Sequence, residues 1–121
     1  MEQKESKNRF HDELKIRMDK YAHLVYGVTR KFPKEELYGI TSQVRRSALL
    51  VVLNYIEGYA RKRNKVYKNF LEIAYGSLQE SKYLLGFSLQ ENFLSKGEFG
   101  EAMVLADGIG AMLWSTIDKV N

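Results

Sequence analysis

Cysteine is absent from this 121-residue chain, proline occurs once and histidine only twice. Without thiols there is no disulfide, no thiolate metal site and no cysteine nucleophile. The single proline, Pro33, leaves long stretches with nothing to interrupt a helix. Long hydrophobic runs are missing too. The longest, Ala48–Leu53, is far short of the roughly 20 residues that span a bilayer. The opening MEQKESKNRF is polar and has no apolar h-region, so no secretory signal is visible. Together these absences describe a cytoplasmic helical protein without a membrane segment.

What is present is ordinary for a soluble domain: 45% hydrophobic and 28% charged residues. The length suits one domain over residues 1–121 with a single core. A formal charge of +4, from 19 basic and 15 acidic residues, permits contact with nucleic acid without demanding it.

Apolar spacing of three and four predicts helices throughout. Residues 1–8 read as a frayed, flexible polar lead-in. Phe10, Leu14, Met18, Tyr21, Val25 and Val28 then mark a first helix to about Lys31. Pro33 ends it and opens a second, from about Lys34 to Arg63, with Glu35 and Glu36 favourably near its positive end. Leu37, Ile40, Val44, Ala48, Val51, Tyr55 and Tyr59 form its core stripe. A third helix runs from about Asn64 to Gln90. Its interior Gly76 implies close approach of a neighbouring helix, since glycine there costs roughly 1 kcal/mol against alanine. Ser95 and Glu98 form an S-x-x-E capping box that opens a fourth helix, Lys96–Lys119. Ala102, Gly108, Gly110 and Ala111 keep that helix slim for tight contact. Short connections make these elements antiparallel neighbours. The fold class is all-α, an up-down-up-down four-helix bundle.

Catalytic constellations are missing. A di-iron bundle needs Glu-x-x-His pairs, but the residues three before His11 and His23 are Asn8 and Lys20. No metal or other cofactor is expected. There is no G-x-S-x-G elbow and no phosphate-binding glycine loop. Glu57, Glu72 and Glu80 lie on helices rich in Lys and Arg, where solvated or salt-bridged carboxylates are the ordinary outcome. The chain is not expected to be an enzyme.

Two signals remain. Leu49, Leu50, Val52, Leu53 and Ile56 give the second helix an apolar surface beyond its core stripe. An exposed patch of this kind is a liability on a monomer, so these residues are assigned to self-association. The alternative is a helix wrapped by its own neighbours. The second signal is basic: Arg61, Lys62, Arg63, Lys65 and Lys68 crowd one connection, with Tyr59 and Tyr67 interleaved. Arg45 and Arg46 lie about 24 Å back along the helix, at 1.5 Å per residue. Lysine and arginine neutralise phosphates and tyrosine faces stack on unpaired bases. The alternative is a solvated helix end with its tyrosines in the core.

From Phe32 to Leu85 the chain resembles the small bacterial four-helix-bundle proteins encoded within intervening sequences of 23S ribosomal RNA genes. The residues that carry the resemblance are Phe32-Pro33-Lys34-Glu35-Glu36, Tyr38-Gly39, Thr41-Ser42-Gln43, Arg45-Arg46, Asn54, Glu57-Gly58, Arg61, and Y-x-x-F-L-x-I-A-x-G-S-L-x-E over Tyr67–Glu80. The resemblance implies a ring-shaped homopentamer without enzymatic activity. It extends to the accessory variability determinant of diversity-generating retroelements, which resembles this fold and binds nucleic acid and a reverse transcriptase. One departure is Leu49–Leu53, where such proteins often carry small residues and proline; it makes this helix straighter and stickier. The expected partners are therefore further copies of the chain and nucleic acid, RNA more than DNA. A protein partner such as a reverse transcriptase is the alternative.

Overall fold

The structure is a computed structural model that describes residues 2–120, with side chains from residue 5 onward. Four long helices account for most of it: α1 (Glu2–Thr29), α2 (Ser42–Tyr59), α3 (Asn64–Gln90) and α4 (Lys96–Lys119). α1 packs on α2 and α4, α2 on α3, and α3 on α4. Sequential helices are neighbours and antiparallel, which is the up-down-up-down bundle the periodicity predicts. Across its diagonal the Tyr21 hydroxyl of α1 lies 2.7 Å from the Ser81 hydroxyl of α3. Burial of that tyrosine pushes its pKa up to about 12.

The core is one cluster. Leu14, Met18 and Val25 from α1 meet Val44, Ala48 and Val51 from α2, Leu71, Leu78 and Leu85 from α3, and Ile109 and Leu113 from α4, all sealed from solvent. These positions recur every three or four residues, so burying one face of each helix removes most of the apolar surface from water.

Helix ends follow local rules. Ser95 and Glu98 form the reciprocal capping box, with Glu98 N–H donating to Ser95 Oγ at 3.1 Å and Ser95 N–H to Glu98 Oε1 at 2.8 Å. α3 ends in a Schellman motif. Asn92 takes a positive φ of 64°, the Asn92 N–H donates to the Leu89 carbonyl at 3.0 Å and the Phe93 N–H to the Ser88 carbonyl at 2.8 Å.

Four expectations are corrected. Residues 2–8 are not a lead-in but the first turns of α1. Their polar sequence suits a helix that projects past the core; Met1 lies outside the described residues. The second helix is not continuous from Lys34 to Arg63. A 3₁₀ turn (Lys34–Glu36) and a wide turn (Leu37–Thr41) precede α2, which stops at Tyr59. Gly39 breaks the line with φ −109° and ψ −115°, and Glu36 Oε1 accepts from the Ile40 N–H beside it. Gly76 does not admit a neighbour: a Cβ there would meet open space. Ala111 is likewise exposed, not at a helix contact. The close approaches are elsewhere. A Cβ at Gly58 would sit 2.5 Å from Phe70 Cβ, and one at Gly110 3.5 Å from the Leu78 side chain.

Candidate nucleic-acid interface

The α2–α3 connection is short because Gly58 lets α3 approach. With no side chain at 58, Phe70 and Tyr67 of α3 close directly over the end of α2. The Ala60 N–H donates to Ile56 and the Arg61 N–H to Gly58, which ends α2. α3 restarts at Asn64 with no side-chain cap from Arg63, so its positive N-terminal dipole adds to the local cations. Arg61, Lys62, Arg63 and Lys65 are exposed here and Lys68 half-buried. Arg61 is held on the protein: it pairs with Glu57, and its guanidinium carbon lies 5.6 Å from the Phe70 ring centroid. Among the described residues, Lys62, Arg63, Lys65 and Lys68 form no ion pair within the chain.

Beneath this rim is an aromatic stack. Tyr59 lies against His11 with ring centroids 3.5 Å apart, and Tyr67 meets Tyr59 edge-on at 6.2 Å. The Tyr55 hydroxyl lies 2.7 Å from His11 Nδ1. Burial pushes the tyrosines at 55 and 67 up. Burial and the nearby Lys15 ammonium push His11 down, against a weaker upward pull from Asp12. Both effects disfavour the imidazolium. The groove opening onto this stack, about 750 Å³, is also lined by Lys7 of α1 and Lys119 of α4. Lys7, Lys119 and the connection thus share one end of the bundle, together with the acidic Glu57.

The seven basic residues singled out in sequence do not form one site. Arg45 is half-buried at the opposite end. Its Nε donates to Thr29 Oγ1 at 2.8 Å and its guanidinium carbon lies 4.6 Å from the Tyr26 ring centroid, tying α2 to the end of α1. Arg46 is exposed on the same turn. One antiparallel bundle length therefore separates Arg45 and Arg46 from Arg61, Lys62, Arg63, Lys65 and Lys68.

The stripe assigned to self-association also divides. Val52 packs against the core and Leu49 and Leu50 are half-buried, whereas Leu53 and Ile56 are 53% and 45% exposed. Two large aromatics that the sequence reading did not single out stand on α3 and α4: Tyr83 is 71% and Trp114 54% exposed. Sequence reasoning also missed Lys7 and His11 as partners in the groove. They are one helical turn apart, but that relation is legible only if the helix begins before residue 8.

Among solved structures, the chain is similar to the crystal structure of a protein of unknown function from the S23 ribosomal protein family of Bacteroides thetaiotaomicron. The two are 18% identical with a TM-score of 0.78, covering 86% of this chain and 97% of that one, a likeness that shows the fold alone. No curated protein matches the chain. A family model described as 23S rRNA-intervening sequence protein matches residues 12–115.

Proposed function

The chain belongs to the 23S rRNA-intervening sequence protein family, and from that premise we propose that it is a non-enzymatic, nucleic-acid-binding bundle acting as a homopentamer. RNA is the preferred ligand, held through phosphates without strong sequence preference, in the cytoplasm. The observation that carries this reading is the cation-rich α2–α3 connection. Lys62, Arg63 and Lys65 are exposed within four consecutive positions and lack internal carboxylate partners among the described residues. A surface lysine or arginine without a partner is cheap to desolvate against phosphate. Repetition of this rim around a ring multiplies a weak contact through avidity. The exposed Leu53 and Ile56 supply an apolar surface for self-association.

A second reading is favoured by Tyr83 and Trp114. Such exposed aromatics on α3 and α4 suit a protein partner. In this reading the ring is a scaffold, comparable to the accessory variability determinant, that recruits an enzyme such as a reverse transcriptase.

Binding of a fluorescent mixed-sequence RNA across a salt series, with particle mass measured on the same sample, tests the first reading. It expects binding that weakens steeply with salt, and roughly a hundredfold loss on reversing Lys62, Arg63 and Lys65 to Glu, at about 1 kcal/mol or slightly less per phosphate contact. No binding at low salt by an intact oligomer would refute it and leave the scaffold. A monomer at high micromolar concentration would refute the ring.

A further inference from the structure

We propose that the groove between the N-terminal turns of α1 and the last turns of α2 and α4 holds a single nucleotide unit, its base against Phe10 and Tyr59 and its phosphate between Lys7 and Lys119. The proposal deepens the nucleic-acid reading and rests on it for the choice of ligand class.

Four observations carry it. The groove, about 750 Å³, has the size of small-ligand sites and is larger than the depressions beside Phe87 and beside Trp114, about 320 and 380 Å³. Its wall offers aromatic faces: Phe10 is 39% exposed and stacks on no other ring among the described residues, and Tyr59 is half-exposed although His11 covers part of it. Its charge is of one sign. Lys7 and Lys119 line it and no described carboxylate does. Lastly, the platform is held before anything binds. The Tyr55–His11 contact at 2.7 Å fixes the imidazole, and the imidazole fixes Tyr59 by stacking at 3.5 Å.

Two cations facing aromatic surface match a base joined to a phosphate. An uncharged peptide segment would leave both ammonium groups unmatched. Ser115 and Thr116 line the same wall, and the Thr116 hydroxyl donates to the Met112 carbonyl at 2.8 Å. A free mononucleotide and the terminal nucleotide of a single strand present the same chemistry, and the position beneath the basic connection suits either.

The test is NMR of the full chain, following the His11 and Tyr59 ring resonances during titration with AMP and with an eight-nucleotide single-stranded RNA bearing a 3′-phosphate. The expected result is a saturable shift of both rings with at least one probe. The Lys7→Gln/Lys119→Gln pair should weaken it about tenfold or more, through two lost charge-assisted contacts, and Phe10→Ser should weaken it as well. All three residues are exposed, so circular dichroism should show an unchanged fold. A response to AMP identifies a free nucleotide as ligand; a response to the oligonucleotide alone identifies a strand end. If the oligonucleotide binds through Arg63 and Lys65 while neither probe moves the rings, the groove proposal fails and the basic-connection reading stands. If AMP moves the rings but no RNA binds, the connection reading fails and the groove stands as a mononucleotide site. Saturation by decanoate without response to either nucleotide probe overturns the proposal in favour of an acyl chain.

Discussion

The two ends of the bundle contain the same kinds of residue and use them differently. At the end formed by the finish of α1 and the start of α4, several charged and polar groups are engaged with one another within the chain, while Arg46 stays exposed. Arg45 bonds Thr29, Lys31 pairs with Glu98, Glu98 caps α4, and Phe32 packs on Phe93. At the α2–α3 end, Lys62, Arg63 and Lys65 are left outward, and aromatic rings open onto a groove. An arginine that serves packing is no longer available to a phosphate. Function should therefore be sought where cations and aromatic faces are left without partners inside the chain.

The largest effect that separates the ends is expected at Gly58. Gly58→Ala places a methyl 2.5 Å from Phe70 Cβ, and such overpacking costs about 1–3 kcal/mol. Denaturant unfolding should register that loss, and RNA affinity should fall too because the connection is displaced. Wild-type stability in the variant would mean that the connection is not held by this contact.

Arg45→Ala should give the opposite pairing. Losing the bond to Thr29 and the stacking on Tyr26 lowers stability by about 1–2 kcal/mol, with RNA affinity at constant salt unchanged. A Kd raised as much as by the Lys62, Arg63 and Lys65 reversals would erase the distinction between the ends.

The smallest effect is in pH. His11 has a folded-state pKa below 6.5, so as the pH falls below 6.5 the unfolded chain takes up its proton first. Stability at the groove end is lost as pH drops through the folded value. Glu98 is also lowered, chiefly by the Lys31 ammonium and then by the Ser95 backbone N–H, from a starting value of 4.5. Its contribution is present above 4.5 and lost only as pH falls further. Amide exchange between pH 7 and 4 should show Val66–Phe70 losing protection before Glu98–Gly100. Simultaneous loss would sink this ordering.

Much of the fold was legible in the sequence. The capping box at Ser95 and Glu98, the limits of α3 and α4, and the core stripe Val44, Ala48, Val51 and Tyr55 all depend on residues three or four apart. The break at Gly39 was not legible, because a glycine in an otherwise helical run is as compatible with packing as with a kink. Gly76 and Gly58 make the same point from opposite sides: glycine records permission for close approach, and only the neighbour shows whether it is used. Of the candidate site, the basic connection could be read because its members are adjacent. The groove could not. Its parts come from Lys7, His11, Tyr55, Tyr59 and Lys119, which span nearly the whole chain.

Local chemistry in the chain was thus enough to set helix number, the limits of α3 and α4, and the antiparallel order, since 3.6-residue periodicity and short connections leave few other arrangements. Which cations are internal and which face outward was settled by contacts between residues distant in sequence. Arg45 reaches Thr29 sixteen positions away and Tyr55 reaches His11 forty-four away. Those pairings depend on how helices rotate and slide against one another, and that is set by the packing of the whole core.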